Sequence, residues 1–345
     1  MEPFKKINFS SENYAGVHPK MMEALIAANT GNAASYGNDE ITKNTVTLFK
    51  QVFGENIEAY FTFNGTGANN FGLSCMLDRF NSIFCADVAH LYVDESTAPE
   101  SFLGCRIYPV KSHNGKIMAD ELKVAVKRIG DVHHPQPKVV SLTQPTEYGT
   151  VYTVDELKAI KAVCTANNML LHVDGARFYN AAAYLGVSLK QISAEVGVDV
   201  LTLGGTKIGM MMGEAVIFFN SANAASLKFN LKRSMQLASK NRFIAIQFQA
   251  LLKDGLWQDM ARHTNQLAKL FEQEIAGISS VKIAYPVETN AAFLNISPEL
   301  HEKMLDFASF YYWNDERREA RLIFSFDNTE EDIKRFVGKL RELAG

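Results

Sequence analysis

The sequence predicts an α/β fold, with a large domain on a mainly parallel seven-stranded sheet and a smaller α+β domain toward the C-terminal end. Three observations predict it. From about residue 15 to 220, helical patterns alternate with short apolar runs, the pattern of a parallel sheet covered by helices on both faces. After residue 220 long helical stretches follow one another, and strand-like runs come after them. At 345 residues and 47% hydrophobic content, the chain can bury a large core and exceeds the size at which single cores usually divide. The divisions read from this pattern are an N-terminal segment, 1–14, a large domain, 15–240, and a small domain, 241–345.

Along the chain, the expected strands of the large sheet are Ala59–Phe63, Ser82–Ala86, Arg106–Val110, Lys138–Leu142, Leu170–Val173, Val200–Leu203 and Ala215–Phe218. Several are rich in Val, Ile and Phe, which suit a pleated surface. Helices are expected between them, among others at Asp39–Phe53, Asp120–Ile129 and Val154–Asn167. Thr153 precedes the last of these and Glu156 follows three residues on, the spacing of a capping box. Each connection is long enough for a right-handed crossover between parallel strands. Beyond residue 220, helices are expected at Ala222–Leu237, Asn241–Lys253 and Trp257–Ile275. Strands follow at Val281–Ile283, Ala291–Ile296, Phe307–Tyr312 and Arg321–Phe326, and Glu330–Leu343 closes the chain as a helix.

Composition removes several classes of function. A net charge of -3 leaves no excess of Lys or Arg to neutralise phosphates, so nucleic acid is not an expected partner. The four cysteines, Cys75, Cys85, Cys105 and Cys164, form no CxxC pair and sit in apolar runs, as buried reduced thiols would. No metal site is expected. Met1–Asn8 is charged and polar, and no stretch reaches the run of about 18 apolar residues that a membrane span needs. A soluble, cytoplasmic protein is expected.

Four features carry chemistry. Asn64-Gly65-Thr66-Gly67 follows a strand and opens a helix, where free backbone N–H groups and the helix dipole favour a phosphate. It lacks a P-loop lysine and full dinucleotide spacing, so a small phosphate ligand fits better than a nucleotide. By itself it is a common kind of turn. His172-Val173-Asp174-Gly175-Ala176-Arg177 ends an apolar strand in an acid at the sheet edge that faces ligands in open α/β folds. Asp174 and Arg177 could equally form a structural ion pair or a cap.

The third feature is Gly204-Gly205-Thr206-Lys207, again past a strand. Glycines and the apolar Met210–Met212 surround Lys207, and poor solvation favours the neutral amine that attacks an aldehyde. Alone, it reads as a surface lysine. The order phosphate cup, acid and lysine matches what pyridoxal phosphate needs: a cradle for its phosphate, an acid for its pyridine nitrogen and an amine for its aldehyde. Fourth, Arg321 in a strand pattern of the small domain could grip a carboxylate through two parallel hydrogen bonds, although beside Arg317 and Arg318 it also reads as a solvated charge.

Tyr36-Gly37-Asn38-Asp39, the Asn64 cup, His172–Arg177 and Gly205-Thr206-Lys207 occur in the order and spacing of the threonine aldolase family, which the chain resembles from about Phe9 to its final helix. The resemblance implies the fold-type I architecture of pyridoxal 5'-phosphate enzymes. It also implies a homodimer or homotetramer with active sites at the subunit interface, and retro-aldol cleavage of L-threonine or L-allo-threonine to glycine and acetaldehyde.

Position by position, the resemblance makes Lys207 the Schiff-base lysine and Asp174 the partner of the pyridine nitrogen. It makes Gly65, Thr66 and Gly67 phosphate ligands, with Thr206 beside the cofactor. Arg177 would lie near the cofactor ring oxygen or the substrate carboxylate, and Ser11 and Arg321 would hold that carboxylate. His90 would stack on the ring, and Tyr36 and Arg242 would reach in from a neighbouring subunit. In Gln144-Pro145-Thr146-Glu147-Tyr148-Gly149, Glu147 stands where the better-known branch has a histidine, which brings the chain closer to the low-specificity branch. His90, Glu147 or an ordered water is the expected base for the β-hydroxyl. The rival readings are a β-eliminating lyase, which differs in the bond aligned for cleavage, and a non-catalytic cofactor-binding regulatory protein.

Overall fold

The computed structural model describes residues 6–219 and 224–344. The first five residues of the expected N-terminal segment and the first two of the helix expected from Ala222 lie outside the described residues. After a two-residue strand, β1 (Ile7–Asn8), come the strands of the large sheet: β2 (Glu58–Thr62), β3 (Asn81–Ala86), β4 (Arg106–Val110), β5 (Gln136–Thr143), β6 (Leu170–Gly175), β7 (Val200–Leu203) and β8 (Glu214–Phe218). They pair in the order β2-β8-β7-β6-β5-β3-β4. Only β8 runs against its neighbours, β2 and β7, and the other pairs are parallel. The carboxyl ends of six strands and the amino end of β8 therefore share one edge. Every residue of β3, β7 and β8 is buried, as strands covered on both faces require.

The covering helices follow local signals. After α1 (Pro19–Ala28), α2 (Glu40–Phe53) starts where the Asp39 side chain accepts from Thr42 N–H at 2.8 Å, and it stops at Gly54 with φ 122°. Phe49 and Phe53, four residues apart, lie on its buried face, where the Phe49 ring meets Phe61 and Phe248 at 5.7 and 5.5 Å. α3 (Gly65–Ser74) opens directly from β2. The helix Val154–Ala166 carries the expected capping box between Thr153 and Glu156, with bonds of 2.7 and 3.2 Å. The helix expected over Asp120–Ile129 instead spans Ala119–Ala125. Val124 and Ile129 remain exposed, so no core rewards its continuation, and Arg128 turns left-handed at φ 58°.

A second, antiparallel sheet is formed from β9 (Lys282–Ile283), β10 (Ala291–Asn295), β12 (Tyr311–Asn314) and β13 (Glu319–Ile323), in the order β12-β13-β10-β9. The strand expected over Phe307–Tyr312 divides, because β11 (Ala308–Ser309) leaves this sheet to pair in parallel with β1. The buried Phe310 separates the two pieces.

Each sheet has its own core. Ile244, Phe248 and Trp257 pack with the large sheet, whereas Leu267 and Phe271, farther along the helix Leu256–Glu274, pack with the small one. The change of core thus falls within a helix. The N-terminal strand belongs to the small core: Phe9 meets the rings of Phe324 and Phe336 at 5.2 and 5.4 Å. Truncating such a residue to alanine costs about 3–5 kcal/mol. From this anchor the chain carries Glu12 to Arg177, just past the end of β6.

Candidate active site

The shared edge collects the candidate residues. β2 ends into Asn64-Gly65-Thr66, β3 leads to His90, β5 to Glu147, β6 ends in Asp174-Gly175, and β7 runs into the turn holding Lys207. The chain places β4 on one side of β3 and β5 on the other, the kind of reversal beside whose strand carboxyl ends open α/β sheets bind ligands.

The lysine turn is shaped by close backbone approach. A Cβ on Gly204 would run into the Ala176 carbonyl, and one on Gly205 into the Gly213 carbonyl and Met210. Thr206–Ile208 make one 3₁₀ turn, closed by Gly209 at φ 92°. Lys207 is half-buried. Of the three methionines expected to enclose it, only Met210 is buried; Met211 and Met212 are 45% and 46% exposed and point away from the core. The buried Glu214 accepts from Gly205 N–H at 2.6 Å.

A chain of buried side chains joins Asp174 to His90. Asn69, one turn inside α3, donates from Nδ2 to Asp174 Oδ2 at 2.8 Å and to Glu95 Oε1 at 2.9 Å. Glu95 Oε1 in turn meets His90 Nδ1 at 3.0 Å. Asp174 Oδ1 accepts from Ala176 N–H at 3.1 Å. The hydrogen bond to Glu95 raises the pKa of His90 against the effect of burial, aided by the charges of Glu147 and Asp174. Two residues before Asp174, His172 is fully buried between Ser141 Oγ at 2.8 Å and Thr202 Oγ1 at 3.2 Å. Burial pushes its pKa down to about 4 although Asp174 pulls it up, so it sits neutral in the sheet.

The segment around Glu12 and the second sheet bring in further polar groups. Arg177 donates from Nε and Nη2 to the two carboxylate oxygens of Glu12 at 2.5 and 2.9 Å, and Asn290 Nδ2 adds a bond to Glu12 at 2.8 Å. Burial alone would raise the Glu12 carboxyl, but Arg177, the Lys207 charge and Asn290 together hold it at about 2. Among the described residues, Arg321, on β13, has a single weak bond from Nη2 to the Ser10 carbonyl at 3.4 Å, lies 4.2 Å over the Trp313 ring, and has a buried Nε without a partner. Burial and the nearby Arg177 pull its pKa down to about 10. Ser11, buried, accepts at Oγ from Asn13 N–H at 3.1 Å. The half-buried Glu147 exerts its charge on His90, Arg177 and Arg321 alike.

At the cup, Asn64 Oδ1 accepts from Gly67 N–H at 2.8 Å, and the space beyond Gly65 is open. Gln236 flanks it, accepting from Phe63 N–H at 2.9 Å and filling the space beside Gly67. Tyr36 and Arg242 share none of these hydrogen bonds among the described residues. Tyr36 is 50% exposed in a left-handed turn at φ 58°, with Lys232 over its ring, and Arg242 Nη2 reaches the Gly31 carbonyl at 3.5 Å.

Residues 8–299 match the beta-eliminating lyase family. A low specificity L-threonine aldolase of Pseudomonas sp. is 39% identical over 96% of this chain and 96% of its own length, and one of Pseudomonas aeruginosa is 39% identical over 98% of each. The chain belongs to the threonine aldolase group of this family. The solved structure of Leishmania major threonine aldolase superposes with a TM-score of 0.93 at 25% identity, over 98% of this chain and 100% of that one. A putative L-allo-threonine aldolase of Listeria monocytogenes shares the fold, with a TM-score of 0.74 at 18% identity, over 98% and 94% of the two chains. The α/β fold class expected from the sequence is thus the fold of these aldolases.

In this member of the threonine aldolase group, Glu12, Asn69, Glu95, Glu214, Gln236 and Asn290 are polar residues of the site that went without a role in the sequence reading. Asn69 lay two residues past the cup motif and Glu12 beside Ser11, but their partners are 105 and 165 residues away. Glu95 had one local signal, standing five residues after His90. Glu214 follows a glycine at the start of a strand, and nothing local marks it.

Proposed function

We propose that this chain is a pyridoxal-phosphate-dependent aldolase that cleaves L-threonine, L-allo-threonine and related β-hydroxy-α-amino acids to glycine and an aldehyde. The observation that carries the reading is the buried chain Asp174–Asn69–Glu95–His90 on the same sheet edge as Lys207 and the α3 N-terminus. The residues present fit the cofactor: an amine, an ionisable acid tied by neutral donors, and a helix N-terminus with open space at Gly65. Lys207 would hold the aldehyde carbon, Asp174 the ring nitrogen, and Gly65 and Thr66 the phosphate, with Thr206 alongside and His90 against the ring. Gly67, expected as a third phosphate ligand, instead gives its N–H to Asn64 and faces Gln236. When bound, the group withdraws electrons from the substrate Cα.

The protein's own groups do the rest. Arg177 has Nε and Nη2 committed to Glu12, whereas the buried Nε of Arg321 awaits a partner, so Arg321 takes the substrate carboxylate with Ser11 and Arg177 borders it. Fixing the carboxylate selects which bond to Cα is aligned for cleavage. His90 donates through Nδ1 to Glu95, which leaves Nε2 free to accept the β-hydroxyl proton, and Glu147 orients that hydroxyl. Tyr36 and Arg242 complete a neighbouring subunit's site in a homodimer or homotetramer, a role that suits the exposure of Tyr36. No helix among the described residues is long and apolar enough to cross a membrane. A cytoplasmic location is part of the proposal.

The test is product analysis with purified protein. Glycine and acetaldehyde from threonine stereoisomers, together with a visible cofactor band, are expected, and Lys207→Ala should abolish both. Normal turnover by that variant would sink the assignment. Pyruvate and ammonia from serine-like substrates, without aldehyde release from threonine, would instead select β-elimination, the chemistry in the matched family's name.

A further inference from the structure

Glu214 opens β8, the strand that runs against the rest of the large sheet, so it begins at the edge where the parallel strands end. Its side chain is buried, 7% exposed, and is spent on the lysine turn. One carboxylate oxygen accepts from Gly205 N–H at 2.6 Å, and the nearby Thr206 side chain, whose Oγ1 accepts from Gly213 N–H at 3.1 Å and keeps its own proton to donate, lowers the carboxyl's pKa. Both of these neutral groups lie within two residues of Lys207.

The charged and titratable groups that reach Glu214 come from three elements. Lys207 lies on the clasped turn, Asp174 at the end of β6, and the phenol of Tyr179 on the helix Phe178–Leu185. Burial raises the Glu214 carboxyl to about 7, against the donors of Gly205 and Thr206 and the Lys207 charge, which lower it. A buried acid whose donors are all neutral is an expensive way to brace a turn if bracing were its whole purpose, since a neutral acceptor would avoid the desolvation cost.

We propose that Glu214 is a positioning residue for Lys207: it clasps the Gly205–Thr206 turn and sets a carboxylate charge toward the lysine's end of the site. The inference rests on the reading of Lys207 as the cofactor lysine. With its carboxyl at about 7, Glu214 gains its charge as pH rises through neutrality, and that charge favours the protonated state of the nitrogen that joins lysine to cofactor, so it raises the pH at which the visible band of the bound cofactor titrates. The clasp and the charge are separable. Glu214→Gln keeps the reach and an acceptor for Gly205 N–H but loses the charge, and Glu214→Asp keeps the charge but is one methylene too short for the clasp.

The experiment loads wild type and both variants with pyridoxal phosphate, titrates the visible band, measures cofactor retention by dialysis, and locates the attached cofactor by borohydride reduction and peptide mass. For Glu214→Gln, the cofactor is expected on Lys207 with the titration midpoint lowered by about one pH unit, the shift ordinarily seen when one nearby opposite charge is removed. For Glu214→Asp, the midpoint should stay near wild type while cofactor retention falls several-fold. An unchanged midpoint in Glu214→Gln overturns the charge role, and unchanged retention in Glu214→Asp overturns the clasp. If Glu214→Gln does not fold, a lowered midpoint in Glu214→Asp overturns the proposal by itself. A wild-type protein with no reduced adduct at Lys207 removes the reading of the site, an outcome distinguished by its appearance before any substitution.

Discussion

Glu12→Gln tests how the N-terminal segment braces the site. Glu12 is buried and accepts two bonds from Arg177 and one from Asn290, at 2.5 to 2.9 Å. Holding its carboxyl at about 2 instead of its ordinary 4.5 corresponds to roughly 3 kcal/mol, at about 1.4 kcal/mol per tenfold change in proton affinity. Breaking a buried pair by removing one partner costs about 3–5 kcal/mol, because the other charge is left uncompensated. The two routes agree, so Glu12→Gln should lose about 3 kcal/mol at neutral pH. The sign with pH follows from the depressed value: the stabilisation is complete above 4.5 and is lost as pH falls from there through about 2. Urea denaturation of wild type and variant at matched protein concentration, at pH 7 and at steps down to about pH 3, should show the gap between them narrowing with acid. A gap below about 1 kcal/mol at pH 7, or one that does not change with pH, would refute the reasoning.

Three further outcomes follow from the same geometry. Arg321→Lys should raise KM about tenfold to a hundredfold with a smaller fall in kcat, since a lysine cannot make the paired hydrogen bonds; steady-state kinetics on L-threonine checks it, and an unchanged KM moves the carboxylate elsewhere. Glu95→Gln removes the carboxylate that raises the pKa of His90, so the basic form of His90 should persist to lower pH and the acid limb of the kcat/KM profile should move down. A profile that stays in place means that His90 is not the group titrating. Glu147→Gln should lower kcat by about tenfold or less if Glu147 only orients the hydroxyl, whereas a loss of about a hundredfold or more would transfer the role of base to Glu147.

Much of the fold was legible because periodicity reports burial. Val200–Leu203 and Ser82–Ala86 read as strands from continuous apolar runs, and these strands lie between covered faces. The misread elements are ones whose fate depends on distant packing. The segment 307–312 has a uniform strand pattern, yet Ala308–Ser309 pairs with Ile7–Asn8 and Tyr311–Asn314 with β13, a partition that no local signal encodes. Val124 and Ile129 carry helix periodicity, but both stay exposed, and the helix ends. At the site, the lysine, the acid and the cup were legible because each ends a strand in a recognisable turn. Their supporting partners were not, because a hydrogen bond such as Asn69 to Asp174 joins residues 105 positions apart.

The sequence by itself determined the α/β class, the order of cup, acid and lysine, and the family resemblance that gives Lys207 and Asp174 their expected roles, since these depend on residue type, local spacing and strand-to-loop transitions. The tertiary structure alone decided how the side chains share their hydrogen bonds: Arg177 is committed to Glu12 while Arg321 keeps a free Nε, and His90 is tied through Glu95 and Asn69 to Asp174. The physical reason is that donors and acceptors buried at a sheet edge must find partners in three dimensions, and the choice among them depends on distances of a few tenths of an ångström that no linear spacing carries.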